Sequence, residues 1–187
     1  MPPKSLPEPW KSFFAEIDAA LSQAVALHCF GGFVAKVLYD LERETSDVDV
    51  LPIASNKEID AVIGRASEGS QLHKKYGVYL QVVGIAPIPE GYEERLTEMF
   101  PGTFKYLHLF ALDPYDLALS KIERNSQRDR DDVKHLARVV PFDLELLRSR
   151  FDDELKPDLG NPERESLTLQ LWIEAIEEER FNSGQSN

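Results

Sequence analysis

Ala26-Leu27-His28-Cys29-Phe30-Gly31-Gly32, answered further along by Asp47-Val48-Asp49-Val50-Leu51-Pro52, decides how this chain folds. The first stretch is a short apolar run that ends on two glycines, the pattern of a buried strand. Phe33 to Leu41 then has the spacing of a helix entered through those glycines. The second stretch is a strand stopped by proline, and fourteen residues (33–46) separate the glycine pair from its first aspartate. On a strand, residues at i and i+2 share a face, so Asp47 and Asp49 project to the same side.

Working outward, apolar residues at Phe13, Phe14, Ile17, Ala20, Leu21 and Ala24 recur at helical spacing from Trp10 to about Val25. Ser55 or Asn56 is placed to cap a helix over 57–68. Val78–Ile85 reads as a third strand, Pro87–Gly91 as turn, and Thr103–Phe110 as a fourth strand. Asp113-Pro114 opens a helix to about Glu123, with proline at its first position. Helices are expected over 129–139, 143–153 and 162–181. Strands interleaved with helices, then helices alone, predict an α/β (α+β) fold: a small mixed sheet flanked by helices with a helical C-terminal segment. The expected division is a flexible arm (1–9), a core (10–140), a C-terminal helical segment of the same domain (141–182) and a disordered tail (183–187).

The chain has 187 residues, a net charge of −12, 42% hydrophobic and 29% charged residues, and one cysteine. Those fractions are ordinary for a soluble globular protein. No apolar run reaches the roughly 18 residues a membrane span needs. The start, Met1-Pro2-Pro3-Lys4-Ser5, lacks the apolar core of a signal peptide. With one cysteine and no internal disulfide, a cytoplasmic location is expected. Cys29 sits among apolar neighbours and reads as a buried small hydrophobe. The acidic balance argues against broad duplex-DNA binding, which needs a basic face. A local basic cluster remains in Lys121, Arg124, Arg128, Arg130, Lys134, His135 and Arg138. It admits a solvated face, internal pairing with Asp131 and Glu123, or contact with an RNA.

The chemistry rests on the glycine pair and the aspartates. Glycine lets the backbone come close to a phosphate, and a helix N-terminus holds anions. Two carboxylates on one strand face are hard oxygen ligands. They suit Mg²⁺ or Mn²⁺, which binds one or two carboxylates plus substrate phosphates. The order strand, Gly-Gly, helix, Asp-x-Asp strand brings both devices to one end of a small sheet. A metal-dependent nucleoside triphosphate (NTP) site follows, centred on Gly31, Gly32, Asp47 and Asp49.

This pattern resembles the polymerase-β-type nucleotidyltransferase superfamily, whose signature is hG[GS], a spacer and Dh[DE]h, where h is apolar. More narrowly, it resembles small bacterial nucleotidyltransferases: the abortive-infection (AbiEii-like) toxins and the related DUF6036-type proteins. The motifs that carry this are Gly31-Gly32, Arg43-Glu44-Thr45-Ser46-Asp47-Val48-Asp49, Lys121-Ile122-Glu123-Arg124 and Arg128-Asp129-Arg130-Asp131-Asp132-Val133, spanning roughly residues 25–140. The resemblance implies that Asp47 and Asp49 bind the metal and that Gly31, Gly32, Thr45 and Ser46 hold the triphosphate. It implies that Lys121 neutralises triphosphate charge, with Arg124 one turn along. Asp129 and Asp132 are either helix caps or acidic support for catalysis. The implied reaction moves a nucleotidyl group from an NTP to a hydroxyl of RNA (tRNA among the acceptors) or protein. Toxin relatives add an antitoxin as partner. The third acidic position of the superfamily falls on Gln81, and glutamine cannot serve as a general base. The base then comes from Asp129, Asp132 or the substrate, or else the chain is a nucleotide-binding or interaction module that keeps the fold without turnover.

Overall fold

A computed structural model of the chain describes residues 5–51 and 57–184, without the side chains of 183 and 184. The expected caps Ser55 and Asn56, the strand-stopping Pro52 and the tail from residue 185 lie outside the described residues. The chain divides into two compact units: 1–86 with 95–113, and 87–94 with 114–187. The boundary expected at 140/141 therefore falls inside the second unit. Among the described residues, no helix is long and apolar enough to cross a membrane.

The first unit holds α1 (Trp10–Asp18), β1 (Val25–Phe30), α2 (Gly31–Tyr39), β2 (Asp47–Val50), α3 (Lys57–Ala66), α4 (Gln71–Tyr76), β3 (Tyr79–Val82), β4 (Thr97–Met99) and β5 (Leu107–Ala111). Its five strands form one mixed sheet in the order β3-β2-β1-β5-β4. β1 runs antiparallel to β2 and parallel to β5, while β2 and β3 are parallel. Val25, Leu27, Cys29, Val48, Val50, Leu80, Leu107, Leu109 and Ala111 are all buried, and register places them on one face. Apolar alternation fixes that register, because a slip of one residue would turn every buried side chain outward. Trp10 and Phe14 of α1 pack on Phe33 of α2, with ring centroids 5.6 and 5.9 Å apart.

Several expectations shift for physical reasons. Leu6 lies within the supposed loose arm yet is 1% exposed, since burial of a leucine outweighs a proline-rich context. α1 ends at Asp18 because that carboxylate accepts the backbone N–H groups of Lys105, Tyr106 and Leu107 at 3.1, 2.7 and 2.8 Å. The strand expected over Thr103–Phe110 begins only at Leu107, as β5, and is preceded by left-handed Phe100 and Gly102. α4 and β4 are elements the sequence pattern did not announce. Ser70 caps α4 by accepting the His73 N–H at 3.1 Å, and left-handed Gly77 ends it.

The second unit holds α5 (Pro114–Leu119), α6 (Gln127–Val139), α7 (Leu144–Arg150) and α8 (Pro162–Gly184), with a π turn at Phe151–Leu155. The helix expected to reach Glu123 stops at Leu119 and tightens: Lys121 and Ile122 donate to Ala118 and Leu119, three residues back. Left-handed Asn125 then reverses the chain and accepts a hydrogen bond from Trp172 Nε1 at 3.1 Å. Lys121 and Arg124 consequently lie on a turn and not one above the other on a helix. α6 starts at Gln127, two residues before the expected Asp129, because Ser126 is its N-cap.

Candidate functional site

The first unit brings together most of the site residues read from the sequence. Asp47 and Asp49 are half-buried on one face of β2, while Val48 and Val50 point into the core. Thr45 Oγ1 donates to Asp47 Oδ1 at 2.6 Å, fixing one carboxylate just before the strand begins. Ser46 is exposed, and its carbonyl accepts the Tyr79 N–H at 2.9 Å, starting the β2–β3 ladder.

Gly31 and Gly32 form the first turn of α2, and each makes room for a polar side chain. Gly31 has φ +70, and a Cβ there would run into Asp49 Oδ2 and stand 3.0 Å from its Cγ. A Cβ on Gly32 would lie 2.9 and 3.2 Å from the Arg43 guanidinium nitrogens and 3.1 Å from Thr45 Oγ1. The glycines thus let the β2 carboxylate and the residues leading into β2 close onto a helix N-terminus. A carboxylate there lies at the positive end of the helix dipole, a favourable placement.

The edge strand completes the surface. In the parallel β2–β3 register, Tyr79 stands beside Asp47 and Gln81 beside Asp49. Register partners share a face, so Gln81 occupies the position next to the acidic pair. Burial, followed by the charges of Glu68, Asp47 and Asp49, raises the Tyr79 phenol above its ordinary pKa. His73 packs its ring 4.7 Å from that of Tyr79, and its Nδ1 accepts the Gly69 N–H at 2.9 Å. Among the described residues, no group of three or more His, Cys, Asp or Glu is arranged to hold a metal ion. Two carboxylates are nevertheless a sufficient protein contribution for Mg²⁺ or Mn²⁺ when phosphate oxygens and water supply the rest. The shared face, the anchored Asp47 and the tight fit of Asp49 on Gly31 suit that donor set. Cys29 is fully buried, and burial together with Asp49 pushes its thiol well above the usual range, which leaves it inert.

The remaining predicted residues form a separate network inside the second unit. Lys121 is 3% exposed, its Nζ 2.9 Å from Asp132 and 3.8 Å from Asp129. Arg124 Nε and a terminal nitrogen grip Asp129 at 2.8 and 2.6 Å. Asp129 also accepts the Ser126 N–H at 2.9 Å, closing a capping box with the Ser126 hydroxyl. The capping alternative for Asp129 is therefore realised, and Lys121 and Arg124 of the basic cluster pair internally with Asp129 and Asp132. Arg138 also pairs internally, with Glu179 of α8.

Burial opposes ionisation of Asp129, but hydrogen bonds from Arg124 and Ser126, helped by Lys121, outweigh it and hold the carboxyl well below its ordinary 3.8. A depressed carboxyl stabilises the fold above its unfolded pKa and loses that contribution as pH falls through the folded one. Wild-type stability should drop more steeply below about pH 4 than that of Asp129→Asn. Thermal melts stepped from neutral to acid would show it, and parallel curves would refute it.

Arg43 is the residue whose placement at the site the sequence left without a role. It opens the Arg-x-Thr-x-Asp-x-Asp stretch, which was the available signal.

No curated protein matches the chain, and no solved structure does. A family model described as a nucleotidyltransferase of unknown function (DUF6036) matches residues 12–180. The chain belongs to that family of nucleotidyltransferases.

Proposed function

We propose that the protein is a Mg²⁺- or Mn²⁺-dependent nucleotidyltransferase that moves a nucleotidyl group from an NTP to a hydroxyl of RNA, breaking the α–β phosphoanhydride bond and releasing pyrophosphate, with tRNA the first acceptor to test. The observation that carries this is the same-face pair Asp47 and Asp49, seated against Gly31-Gly32 at the start of α2. The metal, when bound, polarises the α-phosphate for attack. Asp47 and Asp49 hold it, Thr45 fixes the orientation of Asp47, and the N–H groups of the first α2 turn face the triphosphate. Ser46 adds a hydroxyl beside them. The family pattern gives Lys121 and Arg124 the neutralisation of triphosphate charge, with Asp129 and Asp132 in support. These four side chains act as one connected network. Such chemistry needs mainly positioning and charge stabilisation, and those are what this donor set supplies.

The RNA acceptor follows from the family resemblance; a cleft of about 420 Å³ in the second unit, lined by Lys134, Arg138 and Arg180 together with Glu179, which pairs with Arg138, is the surface to test for it. Protein hydroxyls are the alternative acceptor. A role as the toxin of a toxin–antitoxin pair, with the antitoxin as partner, follows from the abortive-infection resemblance. One observation favours a second reading: Gln81 beside Asp49 cannot take a proton from the acceptor, as a non-catalytic nucleotide-binding module would have it.

Incubation with labelled NTPs, Mg²⁺ or Mn²⁺ and total tRNA tests turnover. Label should pass to RNA with wild type and fall at least about a hundredfold with Asp47→Ala/Asp49→Ala. NTP binding without transfer would select the module instead.

A further inference from the structure

Arg43 sits in the loop between α2 and β2, and its guanidinium lies over the first turn of α2. Its two terminal nitrogens lie 2.9 and 3.2 Å from where a Gly32 Cβ would be, so it rests on the first turn of α2. The loop is fastened by Lys36, whose Nζ reaches the carbonyls of Glu42 and Arg43 at 3.5 and 3.3 Å and Glu44 Oε1 at 3.0 Å. Beyond Arg43, Thr45 ties the same loop to Asp47 at 2.6 Å. The Arg43 guanidinium and the Asp49 carboxylate therefore cover consecutive glycines.

Charge decides what this cation is for. The Asp49 carboxylate over the neighbouring glycine offsets this cation at the helix start, and a divalent ion that takes up that carboxylate leaves the guanidinium facing the phosphates the ion carries. A divalent ion on Asp47 and Asp49 cancels their charge and leaves most of a triphosphate unneutralised. Arg43 shares a unit with both site aspartates.

We propose that Arg43 is a triphosphate-binding residue, its planar fork holding two phosphate oxygens above Gly32, and that Lys36 is the positioning residue that presents it. The proposal rests on the nucleotide-and-metal reading above. Gly32 then has a double purpose, since a side chain there would lift the guanidinium off the helix turn. Lysine cannot replace arginine at such a place, because an ammonium is a point donor and not a two-pronged one.

Calorimetry on the full chain with Mn²⁺ alone, and with Mn²⁺ plus each NTP or nucleoside monophosphate, tests this. Arg43→Gln should weaken NTP binding by about ten- to a hundredfold and leave Mn²⁺ affinity within about twofold. The monophosphates should lose far less than the triphosphates. Arg43→Lys should recover only part of the loss, and it carries the comparison if the glutamine variant does not fold. Lys36→Met should weaken NTP binding by a few-fold in wild type and add nothing in the Arg43→Gln background, as coupled residues do. NTP affinity within about twofold of wild type in Arg43→Gln, with Asp47→Ala/Asp49→Ala inactive, overturns the role of Arg43 alone. Absence of NTP binding by wild type overturns the nucleotide reading and Arg43 with it.

Discussion

Gly31→Ala should be the most damaging small substitution in the first unit. The residue has φ +70, a region where a Cβ costs about 1–2 kcal/mol by itself. Its methyl would also collide with the Asp49 carboxylate, which can escape only by leaving its place on β2. Together these predict a loss of roughly 1–3 kcal/mol in stability. They also predict a fall in divalent-metal affinity and label transfer of about a hundredfold, the scale that an ångström of misplacement produces. Gly32→Ala offers a graded contrast, because its Cβ meets the far end of Arg43, a side chain that can move. It should retain metal binding and lose NTP affinity. Gly64→Ala is the control: nothing lies within 4 Å, and an alanine within α3 should stabilise slightly. Melting curves with and without Mn²⁺ on the three variants would check the ranking, and equal effects at 31 and 64 would refute it.

Asp132→Ala should be the most damaging change in the second unit. Lys121 and Asp132 are 3% and 1% exposed and 2.9 Å apart. Removing one member leaves a buried ammonium with only the more distant Asp129, 3.8 Å away and already bound by Arg124. Breaking a buried pair in this way costs about 3–5 kcal/mol, mostly the penalty of the orphaned charge. Removing both charges with apolar residues of similar size, as in Lys121→Met/Asp132→Leu, should return much of that loss. Urea unfolding of the single and double variants gives the difference directly. A single variant as stable as wild type would show that the pair does not hold the turn.

The parts of the fold legible in the sequence are those where burial follows a short period. β2 alternates buried and half-buried residues and β1 is an apolar run with every second side chain buried, so both strands and the shared face of Asp47 and Asp49 could be read in advance. α2 was legible from the glycines that open it. β4 was not, because Thr97-Glu98-Met99 has no period of its own and is a strand only by pairing with β5. The end of α1 depends on Asp18 meeting N–H groups at 105–107, a contact that no local pattern announces. In the site, residue types and spacing gave the carboxylates and glycines, but not what fills the space above each glycine. Nor did spacing reveal that Lys121 and Arg124 leave the helix, because that depends on left-handed Asn125, held through Trp172.

The strand order carries a consequence for how the protein comes into being. β1 is central, and one of its two neighbours is β5, separated from it by residues 31–106. Parallel pairing over so long a loop is slow, since closure entropy must be overcome before any contact forms. On a ribosome, the strand that anchors Asp49 through Phe30 would wait half-paired until Leu107–Ala111 had emerged. The acidic site should thus be among the last parts of the chain to become rigid. Pulse-labelled hydrogen exchange during refolding should find β1 and β2 protected late and together, on the timescale set by β5.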